Sequence, residues 1–324
     1  MSPGKAILFG EHAVVYGYPA VSLAIDLPTT TVVRAFDRET STLDGSEEGF
    51  QRIPYLVQAL RSTSAKGIDV SIRSSLPRAS GLGSSAAVTS GLLMALTSKN
   101  ASSSDPATLA ARSYEVEFAA QGVGSPADTS TLCAGGVVSI GGSGYGKNLW
   151  QIPPMNHRGP WKVDRLPDPG WSWVVAYTGI PKATGKVVSA VGQAVGAGKT
   201  DVLERIGALA ERGIAAIFRA DRDEVGKLMN ENHRLLAELG VSSPRIEEII
   251  EAVRSETLGV KITGAGKGGS VLALARPGEE SRVAHLFAQV GTVPFVVRVS
   301  SSGVRLQLSG PTSPTGASPA PPSS

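Results

Sequence analysis

The stretch PRASGLGSSAAVTSG, Pro77 to Gly91, sets Gly81 and Gly83 directly ahead of a run of small residues at helical spacing. Glycines free the backbone for left-handed turns, and the bare N–H groups at a helix start attract anions. Any fold of this chain must therefore carry a sharp turn into a closely packed helix. Gly81 and Gly83 would let a phosphate reach the main chain, while Ser84 and Ser85 could cap the helix or offer a hydroxyl to a metal. An ordinary serine cap after a flexible turn explains the same letters.

Two other phosphate-loop readings fail. Gly81-Leu82-Gly83-Ser84-Ser85-Ala86 has the G-x-G-x-x-A spacing of dinucleotide folds. That fingerprint requires a direct strand-to-helix turn, and here a loop containing Pro77 intervenes after the strand DVSIR. GQAVGAGKT lacks the first glycine of a Walker loop, because Gln193 stands five places before Gly198.

The rest of the chain supplies strands and helices in mixed order. Lys5 to Phe9 reads as a strand, as do PAVSLAIDLPTTTVVRAF and DVSIR, and helix follows from Ser84 to about Thr97. DPATLAARSYEVEFAAQG is a helix with Asp105 as N-cap, proline at its first position and Gly122 just past its end. From 135 to 170, glycine, proline and tryptophan suggest strand edges and connecting loop, with a domain boundary near 168. WSWVVAY is a buried strand, and helical patterns span roughly 199–219, 221–239 and 244–258. GVKITGAG and GGSVLALAR read as facing strands, EESRVAHLFAQV as a helix, and PFVVRV and VRLQLS as closing strands. Without strict βαβ alternation the class is α+β. At 324 residues the chain suits two domains, 1–168 and 169–308, and the Pro/Ser-rich end, 309–324, has nothing to bury.

Composition excludes several functions. Hydrophobic residues are 41% and charged residues 18%, as in a globular protein, so a folded core is expected. The net charge of +3 comes from scattered lysines and arginines, and aromatics are only 5%, so a nucleic-acid surface is not expected. The opening apolar run is broken by Gly10, Glu11 and His12, and no membrane segment is expected. Cys133 is the single cysteine; it allows neither a disulfide framework nor a zinc cluster, and fits a reducing, cytoplasmic compartment.

Beyond the first loop, KITGAGKGGSVLALA carries Gly264, Gly266, Gly268 and Gly269 between two strands, more glycine than a hairpin needs. Close approach of a backbone or ligand explains it, as does a floppy hairpin. In PGKAILFGEHAVVYGYPA, Lys5 starts a strand and Glu11-His12 occupy the turn after it; alone, these read as a solvated lysine and a polar turn. Glu117 lies near the end of its helix, where the dipole disfavours an anion, with Ala110, Ser113 and Ala120 on its face. A magnesium ligand would account for this, and so, less well, would a surface glutamate. Asp128 follows Ser125 and Pro126 as the third residue of a possible capping box. A lysine and an aspartate together can also activate a hydroxyl, and with Mg²⁺ and a glycine loop they suffice for phosphoryl transfer.

PGKAILFGEHAVVYG, LPRASGLGSSAAVTSG and KITGAGKGGS, in this order, resemble the three signature motifs of the GHMP small-molecule kinases. GEHAVVYG with GSPADTS is most similar to the compact archaeal and bacterial branch that phosphorylates mevalonate. The resemblance implies a two-domain α+β architecture, an N-terminal ribosomal-protein-S5-like domain and a C-terminal ferredoxin-like domain, with the active site in the cleft between them. It implies that Pro77, Ala79, Ser80, Gly81, Leu82, Gly83, Ser84, Ser85 and Ala86 wrap ATP phosphates, and that Ser85 and Glu117 hold Mg²⁺. Asp128 would be the base for the primary hydroxyl of mevalonate, with Lys5 beside it. Glu11 and His12 would contact substrate or support the lysine, and Lys182, Thr184, Gly264, Ala265 and Gly266 would complete the substrate side. A homodimer is implied. Three positions depart from the pattern. Lys267 stands where glycine is common, and lysine tolerates positive φ poorly, so a relaxed or displaced loop is expected there. Ser270 replaces a frequent cysteine, read as neutral packing, and the early start at PGK suggests a short first strand.

Overall fold

The computed structural model describes residues 1–98, 105–122, 124–155, 159–182, 184–196 and 198–307. The chain opens on β1 (Ser2–Phe9), buried at every position, which turns through a short 3-10 segment at Ala13–Tyr16 into β2 (Ala20–Ala35). The two pair antiparallel from Ser2 onward, so the first strand is not short. Then follow β3 (Thr42–Leu43), α1 (Glu47–Gln51), α2 (Pro54–Thr63), β4 (Ile68–Ser74), α3 (Ser84–Thr97), α4 (Pro106–Gln121) and α5 (Ala127–Ala134). β5 (Val137–Ile140), β6 (Lys147–Ile152) and β7 (Trp161–Leu166) complete a sheet ordered β3-β4-β2-β5-β7-β6, with β1 also on β2. The glycine-rich stretch after 135 thus holds three strands.

Local chemistry explains the helices that position the site. Asp105 Oδ2 accepts the Thr108 N–H at 3.0 Å, Pro106 opens α4, and Gly122 ends it at φ 74°. α3 is almost wholly buried between α4 and the sheet, and its small residues allow that: a Cβ on Gly91 would lie 3.0 Å from Thr31 Oγ1.

The second sheet is built from β8 (Ser172–Tyr177), β9 (Thr257–Thr263), β10 (Ser270–Ala275) and β11 (Val293–Arg298), antiparallel in the order β11-β8-β10-β9. Between these strands run α6 (Thr184–Gly196), α7 (Thr200–Phe218), α8 (Arg222–Glu238), α9 (Pro244–Arg254) and α10 (Glu280–Gln289). The free edge of β9 is covered by α8. Asn230 Nδ2 donates to the Leu258 carbonyl at 3.1 Å and its Oδ1 accepts the Val260 N–H at 3.0 Å, so one side chain replaces a missing strand. Gly226 and Gly259 permit the approach, since a Cβ on Gly259 would lie 2.2 Å from the Gly226 carbonyl oxygen.

Several expectations are corrected. α1, α2 and α6 had no counterpart in the sequence reading, and α9 ends at Arg254 rather than near 258. VRLQLS forms no strand over its described residues; Val304 packs on the core, but Leu306 is 40% exposed, so the alternating face is not buried along its length. The chain instead returns to the first half. Val299 bridges Ile25, the Ser300 N–H donates to the Ala24 carbonyl at 2.8 Å, and the Val304 N–H to the Leu132 carbonyl at 2.9 Å. The Met1 ammonium donates to the Arg305 carbonyl at 2.8 Å, and the Arg305 N–H returns the bond at 2.9 Å. The expected tail, 309–324, lies outside the described residues.

Candidate active site

The glycine loop winds through three left-handed residues, Ala79 at φ 55°, Gly81 at 84° and Gly83 at 80°, before α3 begins. No side chain caps that helix, so the serine-cap reading fails. Its first N–H groups have no intrahelical acceptor and could seat an anion. The glycines also make room for lysines. A Cβ on Gly83 would lie 2.8 Å from Lys5 Cγ, and one on Gly81 would lie 3.3 Å from Lys182 Cδ.

Lys5 projects from β1 with 1% of its side chain exposed, and its N–H donates to the Leu82 carbonyl at 2.9 Å. Its ammonium donates to the Gly81 carbonyl at 3.1 Å and pairs with Asp128 Oδ1 at 2.9 Å. Asp128 sits in the first turn of α5 and remains 34% exposed. No capping box forms: Pro126 is the N-cap, without a side-chain bond, and Ser125 Oγ only meets the Ala127 N–H at 3.5 Å. The aspartate serves the lysine instead of its helix end.

Glu117 faces α3. Its Oε2 accepts the Ser85 hydroxyl at 2.9 Å and the Gln121 amide at 3.0 Å, and its Oε1 accepts the Thr89 hydroxyl at 2.8 Å. The surface-glutamate reading therefore fails, and buried Ala110 and Ser113 on the same helix allow the close packing. Burial drives its carboxyl pKa above the ordinary value and Asp128 adds to the rise, while the Thr89 and Ser85 hydrogen bonds and Lys182 oppose it. A carboxylate so desolvated gains from a cation. Among the described residues no cluster of three or more His, Cys, Asp or Glu could enclose a metal. One carboxylate and one hydroxyl beside an anion seat do suit Mg²⁺, which takes few protein ligands and completes its shell with phosphate oxygens and water.

The third glycine motif buttresses the first. A Cβ on Gly269 would lie 2.9 Å from the Ser80 carbonyl oxygen, and Ser270 Oγ donates to that carbonyl at 2.9 Å, so the serine ties the loops rather than packing neutrally. Gly264, at φ 87°, lies against Gly81, whereas Gly266 packs on Val241, where a Cβ would lie 2.3 Å from the carbonyl oxygen. Close backbone approach, not a floppy hairpin, uses these glycines. Lys267 corrects the expectation of a relaxed loop: it adopts φ 53°, its side chain exposed and its N–H fixed by the Val241 carbonyl at 2.8 Å.

Lys182 enters from the second half. Its N–H donates to the Ala79 carbonyl at 3.0 Å. Burial and the Lys5 charge pull its pKa down to about 8, against Asp128 and Glu117. His12, at φ 62°, donates from Nε2 to the Ala265 carbonyl at 3.0 Å; burial lowers its pKa, favouring the neutral ring. Glu11 does not face the loop. It is buried, paired with Lys261 and bonded by Asn232. Thr184 opens α6, and of its side chain nothing is described. Pro77, Leu82 and Ala86 contribute backbone and packing: the Pro77 carbonyl accepts the Ser80 N–H at 3.3 Å, and Leu82 and Ala86 are buried. Thr89, Asn232, Lys261 and Thr263 were missed. Thr89 was findable, four residues from Ser85 on one helix face; the others have no local signal.

The description "GHMP kinases N terminal domain" matches residues 52–136 and "GHMP kinases C terminal" residues 214–291. The chain thus belongs to the GHMP kinase family. Within it, the chain is 32% identical over 342 residues to the mevalonate kinase of Pyrococcus horikoshii, covering 94% of this chain and 96% of that one. The Methanococcus jannaschii mevalonate kinase structure superposes with a TM-score of 0.72 at 26% identity, over 92% of this chain and 96% of that chain. The mevalonate kinase of L. major, solved in complex with R-mevalonate, shares the fold with a TM-score of 0.75 at 22% identity, covering 94% and 96%.

Proposed function

We infer that this chain transfers the γ-phosphoryl group of ATP to the primary hydroxyl of mevalonate, giving 5-phosphomevalonate and ADP. The observation that carries the reading is the Lys5–Asp128 pair, 2.9 Å across, beside the uncapped start of α3. In the step proposed, the alcohol oxygen bonds the γ-phosphorus, the bond from that phosphorus to the bridging oxygen of ADP breaks, and Asp128 takes the hydroxyl proton. Lys5 orients Asp128 and lends positive charge to the forming alkoxide. The N–H groups of the 79–86 loop bind phosphate oxygens, and Lys182 adds a cation. Ser85 and Glu117 would hold Mg²⁺, which when bound supplies neutralisation of phosphate charge. The cleft would lie between an ATP-binding half, 1–168, and a second half, 169–308. The family likeness supports a homodimer, and the single buried cysteine a cytoplasmic enzyme.

ATP consumption measured with mevalonate, phosphomevalonate, homoserine and galactose in parallel should show turnover on mevalonate. Asp128→Asn should fold normally and lose about three orders of magnitude or more in kcat. Parental activity in that variant would refute the role of Asp128.

A further inference from the structure

Glu11 and Lys261 form a buried ion pair, with 1% and 0% of their side chains exposed. Lys261 donates to Glu11 Oε1 and to the Ile262 carbonyl, and Asn232, also buried, donates from Nδ2 to Glu11 Oε2 at 2.9 Å. Both carboxylate oxygens are committed to the second half of the molecule. Such a pair contributes little to stability, because desolvation offsets most of the attraction and an apolar pair of similar volume would pack as well. What it does supply is a fixed position.

Three contacts follow one another along the chain. Residues alternate in a strand, so Lys261 and Thr263 share one side of β9, and Ala265 follows just past the strand's end. Lys261 meets Glu11. Thr263 Oγ1 accepts the Ile7 N–H at 2.8 Å and donates to the Ile7 carbonyl at 3.0 Å. The Ala265 carbonyl accepts from His12. Gly10 forces the turn that aims Glu11 inward, since its φ is 89° and a Cβ there would lie 2.3 Å from the Pro19 carbonyl oxygen. Lys5 lies on β1, two residues before Ile7. Its charge is felt at Lys261, whose pKa burial lowers and Glu11 raises, with Lys5 adding to the fall.

We propose that Glu11, Lys261 and Asn232 are positioning residues, a buried clasp that fixes the turn after β1 against β9 and so holds Lys5 and Asp128 in register with Lys182 and the third glycine loop. The proposal rests on the reading of the chain as a mevalonate-phosphorylating enzyme.

The test is the double variant Glu11→Gln/Lys261→Met, which removes both charges at nearly constant volume. Its thermal midpoint should stay within about 5 °C of the parent's. Its kcat at saturating mevalonate and ATP should fall about tenfold or more, with each KM changed less than about threefold. Parental kcat in the folded double variant overturns the clasp. Should that variant not fold, Asn232→Ala leaves the ion pair in place and should show the same split, a lower kcat at near-parental KM; parental kcat there overturns it equally. Parent turnover on mevalonate is measured first, and its absence refutes the functional reading and the clasp with it.

Discussion

Lys182 titrates early in the folded chain. Its pKa falls from 10.5 to about 8, chiefly through burial. Between about 8 and the unfolded value the unfolded chain binds more protons, so stability rises with pH across that window; below it, the cost of holding the charge applies in full. Activity should run the other way, because the free enzyme loses a cation beside the phosphate seat. kcat/KM for ATP is expected to decline above about pH 8, and Lys182→Arg, which stays charged, should remove that limb. The same limb in the arginine variant would assign it to another group. Two glycines with similar φ separate strain from crowding: Gly122→Ala, with nothing near its Cβ, should cost about 1–2 kcal/mol and leave kcat unchanged. Gly83→Ala should add to that cost by driving Lys5 aside, and its kcat should fall in steady-state assays. At this scale the small residues around Glu117 marked it as a candidate cation ligand, while Asp128, locally a possible helix cap, was singled out by the family resemblance. The sequence did not announce Lys261, because the partner of Glu11 lies 250 positions away and no local pattern joins them.

Among elements, α3 and α4 were readable because their ends are written in side-chain chemistry: glycines before one, Asp105 and Pro106 opening the other. α6 was not, since its glycines mask a helical face on which, among the described side chains, Val187 and Val191, four residues apart, are the buried ones. At the junction of α8 and β9 one side chain supplies two main-chain hydrogen bonds. Asn230→Ala would leave the Val260 N–H and the Leu258 carbonyl without a partner, costing about 1–3 kcal/mol in denaturant unfolding.

On the scale of the molecule, β7 ends at Leu166 and β8 begins at Ser172, and the shift from one sheet to the next was legible in composition. The homeward course of residues 299–305 was not, because main-chain hydrogen bonds carry it and they leave no side-chain signature. A chain ending at Arg298 should unfold at lower temperature than the parent, with faster hydrogen exchange at the Gly136 N–H, which donates to the Ser300 carbonyl at 2.7 Å. Gly303 shows how close the fit is: a Cβ there would lie 2.0 Å from the Cys133 carbonyl oxygen.

The reciprocal bonds between Met1 and Arg305 hold these two residues side by side. A covalent loop of a few residues could fuse them, and new termini could be cut at the open turn around Gly278. Such a circular permutant would place α10, β11 and the returning segment ahead of the lysine-bearing strand, while the arrangement that strand completes would be unchanged.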